Sequence, residues 1–241
     1  MQNLSTQRPV SLFSTLAVKK ALDGVVRVAF THETGIAVDT VYEPTNLLLA
    51  RIAAGARPDV LIGVTHQLEP LGPTGVVDLS TRVSVATVRV GIAVGAELPC
   101  PDISTVKALT LALTGARSVA YSRSGASGVY FAGLLQRLGI AEQVNARATI
   151  IDTGFTAEAV VDGRADIAVQ LLSEHRSVPD ATIVGPLPDE VQQITEFSAV
   201  LGRAGAVRPE NQALMRYLIG SRAQEAYLNA GMEIAQTSAT T

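Results

Sequence analysis

The chain has 241 residues, of which 47% are apolar and only 4% aromatic, and its formal net charge is −3. This length can bury an ample aliphatic core, in one large domain or in two smaller ones. The slightly negative charge and the scarcity of aromatic side chains argue against a basic or base-stacking surface, so we predict no nucleic-acid partner. The single cysteine, Cys100, excludes an internal disulfide and a cysteine-based zinc site. We predict neither a metal nor a cofactor.

The N-terminal residues 1–9 are polar, and neither the basic nor the apolar region of a secretory signal is visible. No apolar run reaches the roughly 18 residues that a membrane-spanning helix needs. We therefore expect no membrane insertion, with a periplasmic location if a signal peptide has been removed and a cytoplasmic one otherwise.

Predicted strands and helices alternate along most of the chain. Apolar runs typical of strands occupy residues 10–13, 36–42, 60–64, 88–94, 118–121, 149–152, 165–170, 182–185 and 192–202. Helical periodicity and helix-end signals mark residues 16–32, 47–54, 104–113, 129–138, 157–162, 209–220 and 222–229. Residues 67–86 are expected to form an irregular connection with a short strand near Val76. The alternation predicts an α/β fold of right-handed βαβ units with a mostly parallel sheet.

Small polar residues follow several of the predicted strands. In open α/β sheets, ligands bind outside the carboxyl ends of the strands, so these residues are expected to face a binding site. They are Ser14, Thr15, Thr45, Asn46, Thr65 and His66.

The segment 118–139 is the most complete unit of this kind: a strand, a loop of small polar residues, and a helix that Gly139 would end. The first turn of a helix has N–H groups without a partner inside the helix, and it carries partial positive charge. With Ser124 or Ser127 as N-cap and glycines that allow close approach, the unit is a predicted seat for an oxyanion or a carboxylate. An ordinary serine-capped helix is the alternative.

The number of βα units exceeds what one small sheet needs, and no linker divides the chain cleanly. Two α/β lobes joined by more than one crossing strand satisfy both observations. We place the crossings near residues 85–89 and 195–198, so that lobe one comprises residues 1–86 and 198–241, and lobe two comprises residues 87–197. The polar turns of both lobes would then face one cleft that hinge closure could dehydrate.

Several stretches match a known family in order and spacing: residues 10–22, 49–64 (LARIAAGARPDVLIGV), 121–139 (YSRSGASGVYFAGLLQRLG), 163–174 (GRADIAVQLLSE), 184–192 (VGPLPDEVQ) and 230–233 (AGME). On these residues the chain resembles the type 2 periplasmic solute-binding proteins of the molybdate-binding-protein-like family. The resemblance covers nearly the whole chain. It implies a two-lobed fold, each lobe a mostly parallel sheet flanked by helices, with the ligand in the interlobe cleft. It also implies an ABC-transporter permease as partner.

The chain departs from the molybdate-binding pattern at two ligand positions. The family's early serine is matched by Ala17, and a tyrosine of the pattern is replaced at Gln170, whereas Thr45 and Ser127 match a hydroxyl and a backbone N–H donor. Each lost donor removes a charge-assisted hydrogen bond from an oxyanion. Arg123, absent from the pattern, would suit a carboxylate through bidentate contact.

A second branch of the family is also similar. Its pattern comprises Tyr121-Ser122, Ser127-Gly128, Gln170, Ser173-Glu174 and the run 185–188 (GPLP), and it is that of relatives of aconitate isomerase. This resemblance implies cofactor-free proton transfer along an allylic tricarboxylate, which needs one base and cationic or N–H groups at the carboxylates. Glu43 and His66, at predicted strand ends, are the candidate bases. A solvated loop carboxylate and a surface histidine are the alternatives.

Two functions of different class therefore stay open: a small-anion binding protein, and an isomerase of a small polycarboxylate. We favour the first, because most proteins of this family bind without turnover. Glu43 and His66 are predicted to be catalytic only in the second. The predicted ligand contacts are Ser14, Thr15, Thr45, Asn46, Arg123, Ser124, Ser127 and Gln170.

Overall fold

The computed structural model describes residues 8–234 of the chain. Residues 1–7 and 235–241, the two ends of predicted lobe one, lie outside the described residues. Within residues 8–234, no helix combines the length and the apolar character needed to cross a membrane.

Nine strands in the described range form one mixed sheet in the order β2-β1-β3-β9-β4-β7-β5-β6, with β8 paired to β4. The strands are β1 (Val10–Ser14), β2 (Val38–Tyr42), β3 (Val60–Val64), β4 (Val77–Gly95), β5 (Val119–Ser122), β6 (Thr149–Ile151), β7 (Ile167–Leu171), β8 (Ala181–Pro186) and β9 (Ile194–Gly202).

Helices flank this sheet, which confirms the predicted α/β class. The α-helices are α1 (Lys19–Ala21), α2 (Arg27–Thr34), α3 (Thr45–Ala53), α4 (Thr65–Leu68), α5 (Val106–Gly115), α6 (Ala126–Arg137), α7 (Ala141–Asn145), α8 (Glu158–Val161), α9 (Leu172–His175), α10 (Pro209–Leu218) and α11 (Ser221–Asn229). Short 3-10 turns lie at Leu16–Val18, Glu69–Leu71, Asp189–Val191 and Arg203–Gly205.

Parallel pairing occurs within the βαβ units, where β1 lies between β2 and β3, and β5 lies between β6 and β7. The long strand β4 connects the two groups. Its first part pairs antiparallel with β9, and its last residues pair antiparallel with β7 and β8. β9 also pairs antiparallel with β3. The sheet therefore has two parallel regions, and the strands β4 and β9 pair with each other between them.

Both faces of the sheet are buried. Leu12 and Ile62 belong to the largest apolar cluster, whereas their chain neighbours Phe13 and Leu61 belong to a second cluster on the opposite face. Successive side chains of a strand point to opposite faces, so each face needs its own helical layer. A third cluster, built around Ala93, covers the corresponding face near β5 and β7. The chain therefore buries a large aliphatic core, as its composition indicates.

Two elements differ from the sequence prediction. Residues 77–86, expected to be mostly irregular, form the first half of β4, where two register shifts occur and one face is polar and partly exposed. That strand therefore lacks the unbroken apolar run of a fully buried strand. The helix predicted over residues 16–32 is divided by a π-helical turn, Leu22–Val26, which contains Gly24.

Candidate functional site

A small cavity lies at the carboxyl ends of β1, β3, β5 and β7. Its walls come from both predicted lobes, since lining residues 15–67 belong to lobe one and lining residues 122–174 and 197 belong to lobe two. We call it the inner cavity. Among the described residues, it is lined by Thr15, Leu16, Pro44, Thr45, Asn46, Val64, Gln67, Ser122, Ser124, Gly125, Ala126, Ser127, Asp152, Thr153, Gly154, Gln170, Leu171, Glu174 and Phe197.

The N-terminus of α6 forms one wall of the inner cavity. No side chain caps this helix. The first-turn N–H groups at Ala126 and Ser127 have no partner within the helix, and they lie at its end of partial positive charge. The Ser122 hydroxyl instead accepts hydrogen bonds from the backbone N–H groups of Ser124 at 3.2 Å and Gly125 at 3.1 Å, which fixes the preceding loop. The N-cap is Gly125, in place of the predicted Ser124 or Ser127. The anion-binding role of this helix N-terminus stays a prediction.

Gly128 allows this helix to approach β5 closely. A Cβ atom at this position would lie 1.7 Å from the carbonyl oxygen of Ser122, which is backbone and cannot move aside without moving the strand end. Any larger residue would therefore push the first turn of α6 away from the inner cavity.

The N-terminus of α3 lies across the cavity from α6. It also has no side-chain cap, and its first residues, Thr45 and Asn46, line the cavity. The Thr45 hydroxyl oxygen accepts a hydrogen bond from the Val64 N–H at 3.1 Å, which leaves the hydroxyl hydrogen able to donate to a ligand. Thr15, 4% exposed, lies beside this helix at the end of β1. Two helix N-termini from different parts of the sheet thus converge on one small space.

Gln170 supports the wall and is largely occupied by neighbouring groups. Its Oε1 accepts from the Thr156 N–H at 2.7 Å and from the Thr156 hydroxyl at 3.1 Å, and its Nε2 donates to the Gly154 carbonyl at 3.3 Å. These bonds hold the turn 153–156 against the cavity. Gln67, on the opposite wall, has a buried Oε1 without a hydrogen-bond partner among the described residues.

Glu174, which the sequence analysis did not select, is the one buried carboxyl group that lines the inner cavity among the described residues. It is 7% exposed. The Leu171 N–H donates to its Oε2 at 3.3 Å. Burial raises its pKa to about 7, partly offset by this hydrogen bond. The sequence analysis named Glu174 only within a matching pattern and not as a site residue, because its burial depends on the packing of α9 against the rest of the molecule.

A larger, more open space, which we call the outer cavity, adjoins the inner one. The two share Asn46, Gln67, Ser124 and Ala126 among their lining residues. The outer cavity is also lined by Arg123, His66, Glu69, Tyr130 and Glu196. Arg123 is exposed and forms no salt bridge within the described part of the chain, so its guanidinium is free to contact a ligand.

The structure brings six of the predicted ligand contacts into the inner cavity: Thr15, Thr45, Asn46, Ser124, Ser127 and Gln170. Arg123 and His66 line the outer cavity. The fully buried Ser14 lines neither, and its hydroxyl donates to the Thr15 carbonyl at 3.2 Å. The ligand-binding roles of all these residues stay predictions.

Glu43 lies outside both cavities. Its carboxylate accepts two hydrogen bonds from Arg51, one of them from Nε at 2.7 Å. These hydrogen bonds lower the pKa of Glu43, which makes it a weaker base. Arg51 lies eight residues further along the chain, on α3, and its interaction with Glu43 was not expected from the sequence.

The family model for bacterial extracellular solute-binding proteins matches residues 10–233. A protein described as aconitate isomerase from Pseudomonas sp. is 30% identical over 238 residues, covering 95% of this chain and 90% of that protein. The periplasmic molybdate-binding protein of Azotobacter vinelandii superposes with a TM-score of 0.79 at 20% identity, over 94% of this chain and all of that one. The sulfate-binding protein of Mycobacterium tuberculosis superposes with a TM-score of 0.72 at 17% identity, over 96% of this chain and 88% of that one.

The structural matches confirm the two-lobed type 2 periplasmic-binding-protein fold that the sequence resemblance implies. The residues at which one lobe ends and the other begins stay a prediction. On the match to residues 10–233, the chain belongs to the family of bacterial extracellular solute-binding proteins.

Proposed function

We propose that the protein captures a small di- or tricarboxylate anion in the inner cavity. The observation that carries this proposal is the convergence of two uncapped helix N-termini, those of α3 and α6, on one small cavity. Helix N-termini bind anions through unpaired N–H groups and partial positive charge. Hydroxyl groups of Thr15 and Thr45 add donors at the same place.

A carboxylate fits the surroundings better than a tetrahedral dianion does. Asp152 lines the inner cavity, and no lysine or arginine does so among the described residues, so a compact dianion would meet like charge without a compensating cation. A polycarboxylate can place one carboxylate at the helix N-termini and another in the adjoining outer cavity. There, Arg123, which has no salt-bridge partner in the part of the chain that the structure describes, can form a bidentate contact.

The family relationship supports a role in solute capture for transport. We propose an ABC-transporter permease as the partner and the periplasm as the site of action, as the sequence resemblance implies. Closure of the two lobes on the anion would exclude water and present the loaded form to the permease.

The proposal is tested by isothermal titration of molybdate, sulfate, phosphate, citrate and trans-aconitate. We expect binding of at least one polycarboxylate and weaker or absent binding of molybdate. Arg123→Ala is expected to reduce polycarboxylate affinity roughly 10- to 100-fold, the loss of a charge-assisted contact. Arg216→Ala removes an exposed arginine from α10, outside both cavities, and is the matched control. Selective binding of molybdate, or equal affinity of both variants, would contradict the proposal.

A second function is isomerisation of a small polycarboxylate. The relative described as aconitate isomerase supports it, since the similarity covers 95% of this chain. In this reaction a base removes a proton from one allylic carbon, nearby N–H groups stabilise the developing negative charge, and a proton is returned to the other allylic carbon. Of the two predicted bases, His66 lines the outer cavity, whereas Glu43 is engaged by Arg51.

Proton NMR of the protein with cis-aconitate decides between the two functions. Appearance of trans-aconitate, abolished by His66→Gln and retained by Glu43→Gln, would establish turnover with His66 as base. No conversion over many protein equivalents, together with measurable binding, would leave solute capture as the function.

A further inference from the structure

Glu174 combines burial with direct access to the inner cavity. It is 7% exposed, and among the described residues its carboxyl group receives one hydrogen bond, from the Leu171 N–H at 3.3 Å. An ionised carboxylate in this position would be a buried charge with little compensation, and it would face an incoming anion. A carboxylic acid in the same position has an O–H to donate.

Within residues 8–234, no element packed against α9 supplies a positive charge to Glu174. The elements packed against α9 are β4, β7, β8, α1 and the turn Leu16–Val18. β7, β8 and Leu16–Val18 carry no titratable side chain. The titratable groups on the others are Lys19 and Lys20 on α1, Asp78, Arg82 and Arg89 on β4, and His175 on α9 itself; Asp152 lines the same cavity.

Those titratable groups are engaged elsewhere. Lys19 pairs with Asp23, and Lys20 donates to the Arg176 carbonyl. Asp78 accepts from Ser80, Arg82 pairs with Glu69, and Arg89 pairs with Asp189 and Glu233. The imidazole Nε2 of His175 contacts the Gly91 carbonyl at 3.1 Å, and burial lowers the pKa of His175 to about 4, so this histidine is neutral near pH 7.

We propose that Glu174 is a specificity-determining residue, which binds the ligand in its protonated form and donates its O–H to a ligand carboxylate oxygen. The inference rests on the proposed function. The proton comes from solvent when Glu174 is ionised in the free protein, so ligand binding above neutral pH is accompanied by proton uptake. With Glu174 neutral, a compact dianion would still meet Asp152 without a compensating cation among the residues that line the cavity. A polycarboxylate spreads its charge over separate carboxylates, so it is favoured.

The proposal predicts a pH dependence of affinity. Since the pKa of Glu174 in the free protein is about 7, the binding-competent fraction falls roughly tenfold between pH 6 and pH 8, and the apparent affinity falls by the same factor. The informative quantity is the difference in pH dependence between wild type and a Glu174 variant.

The experiment is isothermal titration of trans-aconitate at pH 6, 7 and 8, in buffers that differ in ionisation enthalpy so that bound protons are counted. Glu174→Gln keeps an acceptor for the Leu171 N–H and cannot titrate. We expect it to lose the roughly tenfold pH dependence and the proton uptake at pH 8. Glu174→Asp keeps the ionisable group and is expected to keep a pH dependence of affinity. This variant tests the proposal if the glutamine variant fails to fold. Glu142→Gln, an exposed first-turn glutamate of α7, is the matched control and should behave as wild type.

A residue that only caps α9 would leave the pH profile of affinity unchanged. Binding of trans-aconitate with the same pH slope in wild type and Glu174→Gln would therefore overturn this inference and leave the proposed function standing. No binding of trans-aconitate at any of these pH values would contradict the proposed function for a tricarboxylate, and this inference with it.

Discussion

Replacement of Glu174 by glutamine should stabilise the free protein at alkaline pH and change its stability little at acidic pH. Burial raises the pKa of Glu174 from 4.5 to about 7, so the folded state favours the neutral carboxylic acid. The unfolded chain ionises first as pH rises, and the folded protein therefore loses stability from about pH 4.5 until the group is ionised in both states, above about pH 7. Glutamine is neutral throughout and avoids this loss.

The size of the effect follows from the shift. A rise from 4.5 to about 7, at about 1.4 kcal/mol per pKa unit, amounts to roughly 3 kcal/mol at pH 8 and to about 1 kcal/mol or less at pH 5. The gain on substitution should therefore grow by about 2 to 3 kcal/mol between these pH values. For a chain of this length, that corresponds to roughly 5 to 10 °C in Tm.

Urea unfolding of wild type and Glu174→Gln at pH 5 and pH 8 measures this growth directly. His175, whose lowered pKa of about 4 reduces stability as pH falls below about 6.5, is present in both proteins and cancels in the difference. Glu142→Gln should show no pH-dependent difference. An equal stability difference for Glu174→Gln at the two pH values would refute the conclusion that this carboxyl group is buried and uncompensated.

Two further predictions concern the groups that hold the site in place. Gly128→Ala would place a methyl group 1.7 Å from the Ser122 carbonyl oxygen, so we expect the free energy of unfolding in urea to fall by roughly 3 kcal/mol or more and ligand affinity to be lost. The control, Gly133→Ala in the same helix, meets no atom closer than 3.7 Å and should stabilise the protein slightly. Comparable effects of the two substitutions would contradict the reasoning. Asp59→Asn would remove the buried carboxylate that accepts hydrogen bonds from Asn211 and from two arginines. We therefore expect the free energy of unfolding to fall by roughly 3 kcal/mol. An unchanged urea midpoint of unfolding would show that these ion pairs contribute little to stability.

Much of the fold could be predicted because the signals are local. The strand over residues 60–64 has the predicted bounds, and Pro209 begins α10 as its fixed φ angle favours. The first half of β4 could not be predicted in the same way. Its residues alternate between faces, and bulges interrupt the alternation, so the segment has neither an apolar run nor a regular period.

The features of the site also differ in whether local sequence signals could predict them. The position of the polar turns at strand ends follows from the βαβ pattern, and Thr45 and Ser127 are in the inner cavity for that reason. The helix α6 begins after Gly125, with Ser122 holding the loop, whereas the sequence indicated Ser124 or Ser127 as the cap. The position of Glu174 in the cavity could not be predicted, because its burial depends on elements distant in the chain.

The central claim is that one anion contacts the N-termini of both α3 and α6. A crystal structure of the protein with trans-aconitate tests it most directly. We expect one carboxylate within hydrogen-bonding distance of backbone N–H groups at Thr45 or Asn46 and at Ala126 or Ser127, and a second carboxylate near Arg123. A tricarboxylate bound outside the inner cavity, or held by only one of the two helices, would contradict the account.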